Sequence, residues 1–399
     1  MSEKPLESFV GVVGKATWWA RIEALAAAAA GGRRRGKAAL RRHAIELTIA
    51  RLLRAPERAP SAAEGEIVHL AGRLAGVFRD LSPRGRAFFH ARLHAALSGA
   101  NALTPLFHQM RVAERHRMRG FTVAFTGFES DASFDLAITR NGARAEIVCD
   151  VISADDGRDV PRAAWLQLAD RIDPDLQTWL AAHPGRYLLK MTLPQGLRAG
   201  LRASEGAETA TLGALHERIR VMLAGHVRAD QDAAAMLRLD PLILAGEQAD
   251  EHGLLAQLRR DFGPEAHLSV TVAGQGVFVM AARAARADDV AAAVRRRLSA
   301  LSGTRLSGAA PGILAMFLED TDLTEWRVLR DHLRLEGEAR RFLTSPEARP
   351  VVAVSCATRA ELIGLPVPQA AEGGELRFAN PSHPAMRSAE LAPAIRSAG

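Results

Sequence analysis

Four residues combine charge and spacing in a way that could do chemistry. In RAEIVCDVI, residues 144–152, Glu146, Val148 and Asp150 alternate, so on an extended strand they share one face. Asp135, in FDLAI at residues 134–138, would lie on the neighbouring strand and could face them. Three carboxylates on one surface suit a hard cation such as Mg²⁺ or Mn²⁺, which polarises oxygen and activates water. Asp135, Glu146 and Asp150 are therefore the expected metal ligands. Lys190 sits mid-strand in RYLLKMTL and is the last of only four lysines, a lysine kept where arginine is otherwise nearly universal. Each residue also has a plainer role. Asp135 could satisfy backbone donors near a turn, Glu146 and Asp150 could line the wet face of a half-exposed strand, and Lys190 could protect a sheet edge.

A second chemistry is electrostatic. The chain carries a formal net charge of +7, and the excess lies at one end. Residues 1–118 hold 20 Lys and Arg against 9 Asp and Glu, whereas the rest hold 32 against 36. The densest run is GGRRRGKAALRRH, residues 31–43. Arg33, Arg34, Arg35, Lys37, Arg41 and Arg42 could neutralise phosphates and release counterions. The plainer reading is a solvated helix start, since Arg outnumbers Lys by 48 to 4 throughout, the mark of a GC-rich genome.

Other groups carry weaker signals. His108 and His116 are two helical turns apart with Glu114 between them, a possible metal face, although exposed helix histidines are commoner. Glu129 follows the first strand pattern and could border a cleft beside it. Cys149 and Cys356 are too few for a disulfide framework or a multi-cysteine zinc site, and Cys149 reads as buried. Gly274-Gln275-Gly276 reads as a hairpin turn, and no G-x-S-x-G nucleophile elbow is present.

These residues need elements to hold them. Helical patterns cover residues 17–30, 35–54, 64–80, 82–98 and 102–119, with Ser82 as N-cap and Pro83 in the first turn. Strands follow at 121–125, 134–138 and 144–152, with a tight turn at Asn141-Gly142. A helix over 161–183, kinked or split by Pro174, precedes a fourth strand at 186–193. Strands at 237–244, 267–272, 276–281, 312–318 and 350–355 then alternate with helices at 209–225, 287–301 and 321–335. Residues 371–399, around RFANPSHP, read as a loose tail. The apolar stretches are too short to span a membrane, and MSEKPLESFVG lacks the features of a signal peptide, so the expected location is the cytoplasm.

The helix, three-strand meander, helix, strand order resembles the αβββαβ core of the PD-(D/E)xK, or restriction-endonuclease-like, nuclease superfamily. The segment RGFTVAFTGFES…FDLAITRNGARAEIVCDVISADDGR and the closing RFANPSHP resemble a group of bacterial nuclease-like proteins. The resemblance implies an α/β fold in four parts: a basic helical region over 1–100, the nuclease-like core over 101–195, a further α/β portion over 196–370 and a tail over 371–399. It also implies an Asp and a Glu that bind Mg²⁺ and a Lys two residues after the Glu that handles the attacking water. Asp135 matches the aspartate. Aligning Cys149 with the group's cysteine puts Val148 where the Glu belongs and Asp150 where the Lys belongs, and Asp156 replaces a turn lysine. The turn arginine corresponds to Arg158, near the cleft.

The function expected on these grounds is DNA or RNA binding by a degenerate nuclease-like scaffold, with Arg33, Arg34, Arg35, Lys37, Arg41, Arg42 and Arg158 on phosphates. One alternative is an active Mg²⁺- or Mn²⁺-dependent nuclease using Asp135, Glu146, Asp150 and Lys190. Another is a protein-interaction module that binds no nucleic acid. The resemblance also implies a homodimer by analogy.

Overall fold

Asn141 and Gly142 both adopt positive φ, at 49° and 83°. That conformation suits a two-residue hairpin turn, and it joins β2 (Leu136–Arg140) to β3 (Ala143–Ile152) as the sequence predicts. Around this hairpin the computed structural model describes residues 4–30, 32–153, 155–198, 210–242, 257–259, 262–263, 266–321, 323–358 and 374–396. The chain forms two units: Met1–Ala29 with Ala38–Ala154 and Ala291–Gly399, and Ala30–Lys37 with Asp155–Val290.

The first unit is built on a six-stranded sheet in the order β1-β2-β3-β11-β12-β13. β1 (Thr122–Ala124) and β2 pair antiparallel, as do β2 and β3. β11 (Gly312–Leu318) and β12 (Val351–Thr358) run parallel to β3, and β13 (Leu376–Ala379) closes the edge antiparallel to β12. Every residue of β11 and β12 is buried, the continuous apolar run expected of central parallel strands. One core joins Ala145, Ile147, Ala315 and Phe317 of the sheet to Phe9, Trp18, Ile49, Leu70, Phe89 and Phe107 of the helices Pro5–Val13, Lys15–Ala30, Ala44–Arg54, Ala62–Asp80, Pro83–Ala96 and Thr104–Met118. The basic N-terminal third is therefore part of this core and not a separate region over 1–100. Ser82 accepts from the Gly85 N–H as the predicted N-cap.

The second unit holds the sheet β7-β8-β4-β10-β9. β4 (Arg186–Leu193) lies between β8 (Met236–Pro241), antiparallel, and β10 (Gly276–Ala284), parallel. β7 (Ala229–Gln231) and β9 (His267–Ala273) are its edges. The helices Arg162–Ala182 and Leu212–Ala224 bury Trp165, Leu168, Ile172, Leu176, Ile219 and Met222 against Phe278 and Met280. A short pair, β5 (Leu197–Arg198) with β6 (Ala210–Thr211), completes it.

Several expectations are corrected. The strand at 186–193 forms, but it pairs within the second unit; the strand that follows β1–β3 in the first sheet is β11. The boundary at 195 therefore cuts through the second unit, and 291–399 returns to the first. The helix expected over 35–54 is two helices, divided at His43. Pro174 lies inside an unbroken helix. The tail supplies β13, and Asn380 donates to the Val351 carbonyl at 2.9 Å. The short helices Pro5–Val13, Thr126–Glu129, Arg334–Leu343 and Ala392–Ile395 were not expected. No helix among the described residues is long and apolar enough to cross a membrane.

Candidate functional site

The hairpin register sets the site. Leu136 stands opposite Ile147 and Ala137 opposite Glu146, so Asp135 falls opposite Val148 just before β2 begins. The Asp135 N–H donates to the Ile147 carbonyl at 3.0 Å, which fixes this continuation of the ladder. Glu146, Val148 and Asp150 alternate along β3 with Ala145 and Ile147, which belong to the helix-covered core. The three carboxylates thus have the shared face that their spacing predicts.

Their partners are not those of a metal site. Asp135 is 1% exposed. Its Oδ1 accepts from Arg92 Nη1 at 3.3 Å and Nη2 at 3.2 Å. Its Oδ2 accepts from the Cys149 N–H at 2.9 Å and from Arg305 Nη2 at 3.1 Å. Arg305 also donates through Nε to the Ser133 carbonyl. A carboxylate offers about four acceptor sites, and these donors fill them. Glu146 is buried too; its Oε2 accepts the Ser307 N–H at 2.9 Å and its Oε1 the Ser307 hydroxyl. Asp150 is held in a two-bond pair by Arg297 of the helix Val290–Thr304. Val148 offers no ligand atom. The donor set does not fit a divalent cation, which would have to displace two guanidinium groups from Asp135. Among the described residues no group of three or more His, Cys, Asp or Glu side chains is placed to hold a metal ion.

Lys190 lies on β4 of the second unit, where its ammonium is 3.5 Å from Asp240. Glu129 binds the helix start at Pro83, its Oε1 accepting the Ser82 N–H at 2.8 Å and its Oε2 the Ser82 hydroxyl. Burial pushes both thiols up, Cys356 to about 12, and for Cys149 the nearby Asp135 charge adds to the effect. Neither is an activated nucleophile.

His108 and His116 face the core, not a metal. His108 Nε2 donates to the Ala315 carbonyl at 3.0 Å, and its ring packs on Phe317. His116 lies edge-on to Phe121 with Nδ1 unpartnered. Burial, then the charges of Arg119 and Arg115, push its pKa down to about 3. The folded protein therefore keeps His116 neutral at pH values where the unfolded chain protonates it. Stability present above pH 6.5 is lost as pH falls toward 3, because the unfolded state then binds the extra proton. His116→Asn should flatten the fall in unfolding free energy between pH 7.5 and 4.5, measured by urea titration. An unchanged slope would rule this histidine out as its source.

The basic segment divides into two kinds of residue. Arg34 is spent inside the second unit. Its Nη2 donates to Asp173 Oδ1 at 2.8 Å and to the Val270 carbonyl at 2.7 Å, and its Nη1 to the Ala169 carbonyl at 3.2 Å. The backbone N–H groups of Arg34 and Arg35 both donate to the Asp170 carboxylate at 2.8 Å, capping the helix Arg33–Arg42. Gly32 is required beside this cap, since a Cβ there would lie 2.6 Å from Asp170 Oδ2. Arg158 is also buried, paired with Asp288 at 2.8 Å. By contrast Arg35, Lys37, Arg41 and Arg42 are exposed, with Arg35 Nε 3.5 Å from Asp170 and Arg42 Nε 3.4 Å from Glu319. Arg33 begins the helix, and its side chain lies outside the described residues.

Arg92, Arg297, Arg305 and Ser307 are the site residues that the sequence reading missed. No local signal marks them, since arginine is everywhere in this chain. Compared with family models, with curated proteins and with solved structures, the chain matches none significantly.

Proposed function

We propose that the chain is a nucleic-acid-binding protein on a PD-(D/E)xK-like core, in which arginine has taken over the charge-neutralising role of the metal. The observation that carries this reading is the Asp135 carboxylate, saturated by Arg92, Arg305 and the Cys149 N–H opposite an apolar Val148. The strand order supports it. The helix Thr104–Met118, β1, β2, β3, the helix Val290–Thr304 and β11 follow the αβββαβ order once residues 155–289 are read as an insertion. A metal-activated water has no ligand set here, so binding without phosphodiester cleavage is the activity expected. Lys37 and Arg41 are the phosphate contacts, with Arg35 and Arg42 joining if they leave Asp170 and Glu319. Arg34 and Arg158 are structural ion pairs instead.

The test is fluorescence anisotropy with single-stranded DNA, duplex DNA and RNA over a range of salt, alongside a cleavage assay with Mn²⁺. Combined Arg35→Ala, Lys37→Ala and Arg41→Ala should weaken binding on all sequences. It should lower the salt slope by roughly one per lost phosphate contact while leaving thermal stability unchanged. Affinity and slope equal to wild type would remove the basic helix from the reading. Mn²⁺-dependent cleavage lost in Asp135→Ala would overturn the proposal in favour of an active nuclease. No binding of any nucleic acid near physiological salt would favour the protein-interaction alternative.

A further inference from the structure

A second cluster of arginines lies apart from the Asp135 site, and nothing in the nucleic-acid reading uses it. Arg111 and Arg115 are spaced i, i+4 on the helix Thr104–Met118, and Arg119 follows one turn later at the helix end. Spacing of this kind stacks side chains on one face, and the C-terminal end of a helix favours cations. Two of them meet Arg377 of β13 around one acidic group, Glu375. Its Oε2 accepts from Arg115 Nη1 at 2.6 Å, from Arg377 Nη2 at 2.8 Å and from Arg377 Nε at 3.1 Å. Arg119 Nη2 stops 3.8 Å from the same oxygen, beyond hydrogen-bonding distance. Arg119 Nη1 is buried with no hydrogen-bond partner.

The mismatch is one of acceptor capacity. One carboxylate oxygen has room for about two good hydrogen bonds, and two guanidinium groups already supply three. Arg119 therefore reaches an oxygen that is full. Arginine forks bind bidentately to phosphate as well as to carboxylate, and a phosphate monoester has three terminal oxygens to share among three forks. Buried donors left without partners are rare in folded proteins, so each calls for an explanation. Burial also lowers the pKa values of Arg115 and Arg119, the direction expected when cations are gathered away from water.

We infer that Arg115, Arg119 and Arg377 form a binding site for a phosphate monoester group, with Glu375 as the internal group that such a ligand displaces. This inference does not depend on the nucleic-acid reading. Two sources could present the group, a free phosphate or the 5′-phosphate of a nucleic acid end, and the same experiment separates them.

The experiment is calorimetric titration of the full chain at constant ionic strength and pH 7.5. The probes are inorganic phosphate and a short oligonucleotide with or without a 5′-phosphate. Glu375→Gln removes the internal competitor's charge and should tighten phosphate binding at least tenfold over wild type. Arg119→Gln should weaken it at least tenfold, and Arg119→Lys should restore only part of it, because the fork is lost. A purely structural role for Glu375 predicts no tightening. Preference for the 5′-phosphorylated oligonucleotide, lost in Arg119→Gln, identifies a nucleic acid end as the source. Saturable binding of inorganic phosphate with no such preference identifies a small molecule. The inference is overturned if Glu375→Gln shows no saturable phosphate binding, or if wild type, Glu375→Gln and Arg119→Gln bind alike. Circular dichroism melts of each variant separate loss of the site from loss of the fold.

Discussion

Arg34→Ala is expected to destabilise the second unit by about 3–5 kcal/mol, the range for removing one partner of a buried ion pair. Its side chain is 11% exposed, and its guanidinium meets Asp173, Thr271 and the carbonyls of Ala169 and Val270. Without it Asp173 keeps Thr271 and Gln177 but loses its cation. Desolvation opposes ionisation of Asp173, yet hydrogen bonds from Thr271 and Arg34 hold its carboxyl below the ordinary range. The truncation therefore leaves a largely buried carboxylate uncompensated, not just a missing contact. Val270 belongs to the edge strand β9, so the same change strips the cover from a sheet edge, a site where strands add to other chains. Arg41→Ala, on the exposed part of the same helix, should stay within about 0.5 kcal/mol of wild type. Urea unfolding of the two variants, with hydrogen exchange along β9 and β10, checks the contrast. Equal stabilities would mean that the Arg34 contacts do not hold the unit together.

The second large effect is expected at Asp135. Asp135→Ala leaves the Cys149 N–H unpartnered beneath the sheet face and sets Arg92 and Arg305 against each other. A loss of about 2–4 kcal/mol follows from the unsatisfied donor and the broken pairs, with the lower half of the range favoured because both arginines are partly exposed. A metal ligand behaves differently. Its removal usually relieves carboxylate repulsion in the metal-free protein and abolishes cation binding. Isothermal titration of Mn²⁺ should give no saturable heat with either wild type or Asp135→Ala. Unfolding curves should show Asp135→Ala clearly less stable at pH 7.5. A variant as stable as wild type, or Mn²⁺ binding that vanishes with Asp135, would contradict the arginine-filled site.

Local pattern carried much of this. The Asn141-Gly142 turn, the Ser82 cap, the strands at 186–193 and 312–318 and the shared face of Glu146, Val148 and Asp150 all follow from neighbours within a few residues. What failed was partner choice. Strand 186–193 is the next strand after β3 in the sequence, so it is the natural fourth member of the sheet. β11 takes that place from far along the chain, and nothing in the runs YLLK or ILAMFL says which strand pairs with which. The site failed for the same reason. The identities of Asp135 and Val148 were readable, but whether Asp135 faces a metal or two arginines depends on Arg92, from an earlier helix, and Arg305, from the turn that ends a much later one. Arg34 misled in the opposite way. A basic run looks like a phosphate surface, and only the fold shows one of its members aimed at Asp170 and Asp173.

The ends of the 155–290 segment meet. The Asp289 N–H donates to the Gly157 carbonyl at 2.7 Å, and Arg158 pairs with Asp288 beside it. Gly157, at a φ of 78°, has no room for a Cβ, which would lie 2.5 Å from the Asp289 carbonyl oxygen. This closure bears on the order of folding. β3 and β11 must find each other in parallel register, Glu146 beside Gly312, across the whole intervening segment. Loop-closure entropy rises with the logarithm of length, so shortening an open loop from about 160 residues to about 25 removes about 1–2 kcal/mol from that search. If the segment folds first, it delivers both ends of the connection already joined, and the non-local pairing that makes such sheets slow becomes a much shorter one.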